Sequence, residues 1–374
     1  MIIGVPRETL AGETRVALVP GVIGLLTRDK HEVLVERGAG EAAHVSDREL
    51  ETAGAATTAS AADLYRKADI VFRVQPPVNE AEQMREGSAV IGFLAPLANP
   101  DMIRTLARRK ITGFSMEYVP RISRAQSMDA LSSMATIAGY KGVMIAAQEL
   151  GKMFPLMMTA AGTVPPASVF ILGAGVAGLQ AIATAKRLGA KVEAFDPRPS
   201  VMEQVKSLGA HFVEMEMPAD AETAGGYAKE LSPEFIRKEM EAIAARLPKT
   251  NVVITTAQVF GKKAPVLITE EMVRLMHPGS VIVDLAAEQG GNCALTEAGK
   301  TVVRHGVTIA GPVNLPATVP VDASQMYARN LVTLFRHLYP KADAQPDFAD
   351  EIAAGCCITR GGEVVHPHVK SAIG

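Results

Sequence analysis

The chain has 374 residues, with 38 Lys and Arg against 40 Asp and Glu and a formal net charge of −2. That balance, without a basic tract or an acidic tail, excludes an electrostatic nucleic-acid binder and a disordered acidic arm. Cys293, Cys356 and Cys357 lack metal-ligand spacing and the adjacent pair is poorly placed for a disulfide, so they are read as small buried apolar residues in a reducing compartment, with no metal site.

The opening MIIGVPRETLAGE carries charges early and lacks the apolar stretch of a signal peptide. Apolar runs at Ile2–Val5, Glu32–Glu36, Ile70–Val74, Val90–Phe93 and Ile111–Ser115 predict strands. Amphipathic segments at Gly21–Thr27, Arg48–Ala53, Ala61–Arg66 and Pro100–Arg108 predict helices between them. This alternation predicts a parallel, doubly wound sheet that lacks a glycine-rich phosphate turn of its own. Asp129–Gly151 reads as one long helix crossing between domains, in which Gly139 and Gly142 allow close packing. No charge occurs from Met153 to Ala185, which is longer than the ~20 residues that span a bilayer. Pro165, Pro166 and the glycine turn inside it argue against a membrane helix.

The stretch SVFILGAGVAGLQAIATAKRLGAKVEAFD, Ser168–Asp196, carries the strongest motif. It reads strand, glycine turn (Gly173, Gly175, Gly178), helix and second strand ending in Asp196, which is the dinucleotide-binding βαβ unit. Gly173 permits the tight turn, Gly175 lets backbone approach a pyrophosphate, and Gly178 lets helix and strand pack closely. Val176, Ala177 and Gly178 open a helix whose N–H groups and dipole favour an anion. Asp196 is placed to accept from a ribose 2′-OH and to repel a 2′-phosphate, so NAD(H) is expected over NADP(H), with Arg198 flanking the same ribose.

Further strands are predicted at His211–Glu214, Val252–Thr256, Val281–Asp284 and Val307–Ala310, completing six. Ala257 and Gln258 follow one of these strands and are cofactor candidates. Asp284, Glu288 and Gln289 end another, where Asp284 is either a cofactor contact or a loop cap. VDASQMYARNLVTLFRHLY predicts a second crossing helix, and the tail through CITRGGEVVHP folds back onto the first domain. The expected fold is α/β: two Rossmann-like doubly wound domains joined by two long crossing helices, with a cleft between them. The boundaries are 1–130 plus 325–374 for the first domain and 131–324 for the second.

Pro120–Ser133, PRISRAQSMDALSS, concentrates polar side chains just before the long helix. Gln126, Asp129 and Ser133 share one helical face if the helix starts by Ser127. Equally, the run reads as a capped helix start, with Ser127 or Asp129 as N-cap and solvated arginines. The eight histidines fall in no acid/base or metal motif.

Several segments together resemble the alanine dehydrogenase/pyridine nucleotide transhydrogenase superfamily. They are IIGVPRETLAGETRVALVP, PRISRAQSMDALSS, MMTAAGTVPPASVFILGAGVAGLQAIATAKRLGA, ETAGGYAKE and GSVIVDLAAEQGGN. The RISRAQSMD and ETAGGYAKE segments resemble the soluble NAD(H)-binding component of proton-translocating transhydrogenases. Alanine dehydrogenases carry a lysine and a histidine where this chain has Gln75 and Pro96, neither of which transfers a proton or carries positive charge. Arg15 matches their carboxylate-binding arginine and is read here as structural or vestigial.

The resemblance implies that Arg121, Gln126, Asp129 and Ser132 contact the nicotinamide carboxamide and its surroundings. It implies that Gly226 and Tyr227, beside Gly225 in a polar segment, belong to a loop that closes over bound nucleotide. It further implies hydride transfer from NADH on this chain to NADP⁺ on a partner subunit, coupled to proton movement through a separate membrane-spanning subunit. A homodimer is implied, cytoplasmic and held peripherally at the inner membrane through those partners, with neither nucleic-acid binding nor direct insertion. The competing expectation is an alanine dehydrogenase-like, NAD-dependent amino-acid dehydrogenase.

Overall fold

The computed structural model describes residues 1–214, 233–259, 261–341 and 344–373. Chain contacts divide it into two compact units, Met1–Met134 with Pro316–Gly374, and Ala135–Leu315.

In the first unit, β1 (Ile2–Val5), β2 (Glu32–Glu36), β3 (Ala56–Thr58), β4 (Ile70–Phe72), β5 (Ala89–Gly92) and β6 (Thr112–Ser115) run parallel. Their order is β3-β2-β1-β4-β5-β6, the doubly wound arrangement with its switch point between β1 and β4. The central strands are buried throughout, as in IVF and AVIG; helices cover both faces of such sheets, so their strands carry no polar side. Helix starts are set by short side chains: Ser46 makes a capping box with Glu49, and Ser60 accepts from the Asp63 N–H.

Sequence patterning missed β3, whose three residues are exposed or half-buried and give no apolar signal. It also missed two strands in the tail. Among β7 to β17, taken in chain order, β16 (Cys357–Arg360) pairs antiparallel with β6 and with β17 (Glu363–Val364). The register shifts between Cys357 and Thr359, and the Thr359 hydroxyl bridges the break. It donates to the Ile111 carbonyl at 2.8 Å and accepts from the Gly113 N–H at 3.0 Å. The chain re-enters this unit at Pro316, so helix Pro320–Leu338 lies in it along its whole length. There Phe335 packs edge-on to Phe72, 5.3 Å between centroids, and the Tyr327 hydroxyl donates to the Arg73 carbonyl at 2.6 Å.

The second unit repeats the arrangement. A hairpin of β7 (Met157–Thr159) and β8 (Gly162–Val164) comes first. Then β9 (Ser168–Leu172), β10 (Lys191–Phe195), β11 (His211–Phe212), β12 (Val252–Thr255), β13 (Val281–Asp284) and β15 (Val307–Ala310) align parallel as β11-β10-β9-β12-β13-β15. Antiparallel β14 (Thr301–Arg304) adds an edge strand not expected from sequence. It is mostly exposed and reaches β15 through His305 and Gly306, both at positive φ, which suits a two-residue primed turn. Side chains alternate between two cores: Val169 and Ile171 face one, Phe170 and Leu172 the other.

Helix Ala130–Glu149 contributes to this unit from Ala135 onward. A Cβ on Gly139 would sit 2.1 Å from the Ala177 carbonyl oxygen, and one on Gly142 would sit 3.1 Å from the Leu285 side chain. The glycines therefore let this helix lie directly on the start of helix Val176–Arg187.

Candidate functional site

The switch point of the second sheet lies between β9 and β12, and ligands of open α/β sheets bind beyond the strand ends at that point. The three motif glycines meet different surroundings there. Gly173 has φ +97°, and a Cβ on it would lie 2.6 Å from the Thr256 hydroxyl. A Cβ on Gly178 would lie 1.9 Å from the Gly173 carbonyl oxygen, which no side chain tolerates. A Cβ on Gly175 would meet only the Arg198 guanidinium, at 3.9 Å. Two glycines thus close the turn and the third faces open space at the N-terminus of helix Val176–Arg187, a cradle that fits a pyrophosphate. Val176 and Ala177 form the first turn of that helix. The opposite wall follows β12: Thr256 donates to the Gly173 carbonyl at 3.1 Å, and the exposed Gln258 side chain donates to the Leu285 carbonyl at 2.9 Å.

Asp196 ends β10, 2% exposed. Oδ2 accepts from the Ala174 N–H at 2.7 Å and Arg198 Nη2 at 2.7 Å; Oδ1 accepts from Arg198 N at 2.9 Å and Nε at 2.8 Å. The carboxylate thereby ties the glycine turn to the end of the second strand, and a forked arginine covers it. A ribose hydroxyl reaches Asp196 only when that fork opens. Sequence reasoning missed a third charged neighbour. Glu239 is 4% exposed on helix Pro233–Ala244, and burial, with the negative Asp196 nearby, pushes its carboxyl up to about 7.

Asp284 is a structural cap. Fully buried, it accepts from the backbone N–H groups of Ala286, Asn292 and Cys293 and from the hydroxyls of Thr255 and Thr296, at 2.7–3.0 Å. Glu288 accepts from the Asn314 N–H at 3.2 Å. Gly226 and Tyr227 lie outside the described residues.

The polar run of the first unit folds as a 3₁₀ segment, Ser123–Met128, followed by the α-helix from Ala130. Gln126 is exposed within the 3₁₀ turn, so Gln126, Asp129 and Ser133 do not form one α-helical face. Asp129 caps the helix: its carboxylate accepts from the Ser132 N–H at 2.8 Å and hydroxyl at 2.6 Å. The segment is pinned from elsewhere in the unit. Arg124 pairs with Asp350 at 2.7 Å, and Asn330 donates to the Ser127 carbonyl at 2.9 Å. Arg121, just before it, is exposed. Such pinning fixes the backbone from which Arg121, Gln126 and Asp129 project.

The corresponding switch point of the first sheet contains paired charges instead of a glycine turn. Glu8, after β1, accepts from the N–H groups of Val74 and Gln75 beyond β4 at 2.7 and 3.2 Å, and from Arg73 at 3.2 Å. Arg15 forks onto Glu13, Nε at 2.8 Å and Nη2 at 2.6 Å, and the Gln75 amide donates to Glu13 at 2.7 Å. Burial works against the Glu13 charge, but the Arg15 hydrogen bonds and charge and the Gln75 amide outweigh it and hold Glu13 down at about 2. Arg15 is therefore neutralised by its own neighbour. Pro96 is buried in a turn where Ala95 has φ +41°, held by hydrogen bonds from the Leu94 and Ala95 N–H groups to buried Glu117. Neither position offers a proton-transferring side chain.

Comparison with known proteins agrees with this arrangement. Residues 4–138 match the family described as alanine dehydrogenase/PNT, N-terminal domain, and residues 142–367 match its C-terminal domain. The chain is 50% identical over 380 residues to the first polypeptide of the NAD(P) transhydrogenase subunit alpha of Rhodospirillum rubrum, covering 98% of each. A transhydrogenase structure from Sinorhizobium meliloti superposes with a TM-score of 0.89 at 43% identity, over 98% of this chain and all of that one. An L-alanine dehydrogenase structure superposes with 0.85 at 27% identity, over 100% of this chain and 99% of that one. The chain belongs to the alanine dehydrogenase/PNT family of pyridine-nucleotide oxidoreductases, on the side of the NAD(P) transhydrogenase alpha subunits.

Proposed function

We propose that the chain binds NAD(H) at the β9–β12 switch point of its second unit and exchanges hydride with NADP(H) held on a partner subunit. A membrane-spanning subunit would couple this transfer to proton movement. The observation that carries the reading is the pairing of an open glycine cradle, Gly173, Gly175 and Gly178 with Asp196, with a first unit that offers no acid/base group at the positions where an oxo acid would need one. Reduction of an oxo acid needs a proton donor and a cation for the substrate. Here Gln75 and Pro96 stand at those positions, and Arg15 is occupied by Glu13. Transfer between two nicotinamides needs alignment and exclusion of water only.

The bound cofactor would supply the hydride; the chain's residues would orient it. Asp196 and Arg198 would hold the adenosine ribose, Val176, Ala177 and Gly178 the pyrophosphate, and Gln258 the wall beyond β12. Arg121, Gln126, Asp129 and Ser132 would align the nicotinamide carboxamide, and Gly226 and Tyr227 would close over it. Among the described residues no helix is long and apolar enough to cross a membrane. Attachment at the inner membrane would come through the partner subunits, from the cytoplasmic side. An exposed apolar hairpin in the second unit supports a homodimer.

Binding of NADH with much weaker binding of NADPH, and no NADH oxidation with pyruvate and ammonia, is the expected behaviour of the purified chain. Turnover on pyruvate would reinstate the amino-acid dehydrogenase reading. In the complex reconstituted with its membrane and NADP(H)-binding subunits, Gln126→Ala and Asp129→Asn are expected to slow hydride transfer at least tenfold with NADH affinity changed less than threefold. Asp129→Asn also weakens a helix cap by about 1 kcal/mol, so its melting temperature is read alongside. Normal transfer rates in both variants would remove these residues from the site.

A further inference from the structure

Asn292 is completely buried just past β13, and each of its polar atoms is used. Its N–H donates to Asp284 at 2.8 Å. Its carbonyl accepts from the N–H groups of Leu267 and Ile268 at 2.8 and 3.0 Å. The side chain grips one residue's backbone from both sides: Oδ1 accepts from the Ala257 N–H at 3.0 Å, and Nδ2 donates to the Ala257 carbonyl at 2.8 Å. Nδ2 also donates to the Pro265 carbonyl at 2.8 Å.

The gripped backbone adjoins the residue that touches the phosphate turn. Thr256 donates to the Gly173 carbonyl, the oxygen against which Gly178 is packed. A continuous set of contacts therefore runs from buried Asp284 through Asn292 and Ala257 to Thr256 and the glycine turn. No other side chain of this size supplies the pattern. An aspartate would face two carbonyl oxygens with a carboxylate, and an aliphatic residue would leave an N–H and two carbonyls without their partner.

We propose that Asn292 is a positioning residue for the cofactor site, acting through Ala257 to fix the distance between the Thr256–Gln258 wall and the glycine turn. This rests on the reading that the second unit takes a dinucleotide. Asn292 touches no reacting atom; it sets the width of the crevice.

The test is NADH titration of the full chain, followed by the cofactor's own fluorescence, with thermal melts of every variant. Asn292→Ala and Thr256→Val are each expected to raise the NADH Kd five- to tenfold, and the double variant no further than the weaker-binding single, because both act through one segment. Val205→Ala, a truncation in the same unit's core away from this segment, is expected to lower the melting temperature yet leave Kd within twofold. Unchanged Kd in Asn292→Ala overturns the inference. Multiplying effects in the double variant, or an equal loss of affinity in Val205→Ala, also overturn it. If Asn292→Ala does not fold, Thr256→Val decides alone: unchanged affinity there overturns the proposal. A wild-type chain that fails to bind NADH overturns the dinucleotide reading and this inference with it, whereas wild-type binding with unaffected variants overturns this inference alone.

Discussion

Glu239 holds an ionisable carboxyl almost out of water, with the Asp196 charge nearby. Its proton is bound more tightly in the folded chain than in the unfolded one, where the ordinary value is 4.5. Stability from this group is therefore full below about 4.5 and is lost as pH rises to about 7, levelling off above. At ~1.4 kcal/mol for each tenfold, the loss is on the order of 2–3 kcal/mol. Glu239→Gln is expected to be more stable than wild type at pH 8 and nearly equal at pH 4.5, checked by melts across that range. A parallel pH dependence in both proteins would show that Glu239 is not the group. Glu13 has the opposite sign: its contribution is present above 4.5 and is lost as pH falls toward 2. Asp196 is legible from its spacing to the glycines. Glu239 is not, because helix Pro233–Ala244 meets that strand end only after folding.

Helix against helix, the tightest approach in the second unit is Gly139 on Ala177. A methyl group 2.1 Å from a carbonyl oxygen must push the two elements apart. Overpacking of this kind costs about 1–3 kcal/mol, and here the displaced element is the one that presents the anion-binding N–H groups. Gly139→Ala is expected to lower the melting temperature and weaken NADH binding together. Gly21→Ala, whose Cβ meets nothing within 4 Å, is expected to do neither; both are read by thermal melts and NADH titration. The strands with buried, β-branched residues are readable in advance because burial on both faces leaves only apolar side chains. β3, β14 and β17 are not, since short edge segments owe their state to the neighbour that supplies hydrogen bonds. The same limit applies to Ser123–Met128, where periodicity alone leaves helix face and capped start equally open. The carboxylate of Asp129 on Ser132 decides for the cap.

For the whole molecule, the second unit displays an apolar projection that its own core does not cover. Met158 is 82% exposed at the β7–β8 hairpin, with Leu156 at 56% and Met153 at 53% just before it. Clustered exposed side chains of this kind mark association surfaces. Met158→Asp is expected to shift the chain from dimer toward monomer in sedimentation at micromolar concentration, with its melting temperature nearly unchanged because the residue supports no core. A wild-type monomer, or a variant dimer as tight as wild type, would place the contact elsewhere. At this scale the two sheets share one strand order, β1-centred and β9-centred, yet differ in chemistry. One switch point is open around Gly175. The other is filled by Glu8, Glu13, Arg15, Arg73 and Gln75.

The sequence by itself determined the parallel α/β architecture and the cofactor turn, because buried strands and glycines at fixed spacing are local requirements of backbone geometry. Only the tertiary structure decided that Arg15 is neutralised, that Asp284 is a cap, and that Asn292 holds the wall opposite the glycine turn. Those assignments depend on which polar groups are brought together out of water, and a buried group's role is set by its partners, which residue order does not specify.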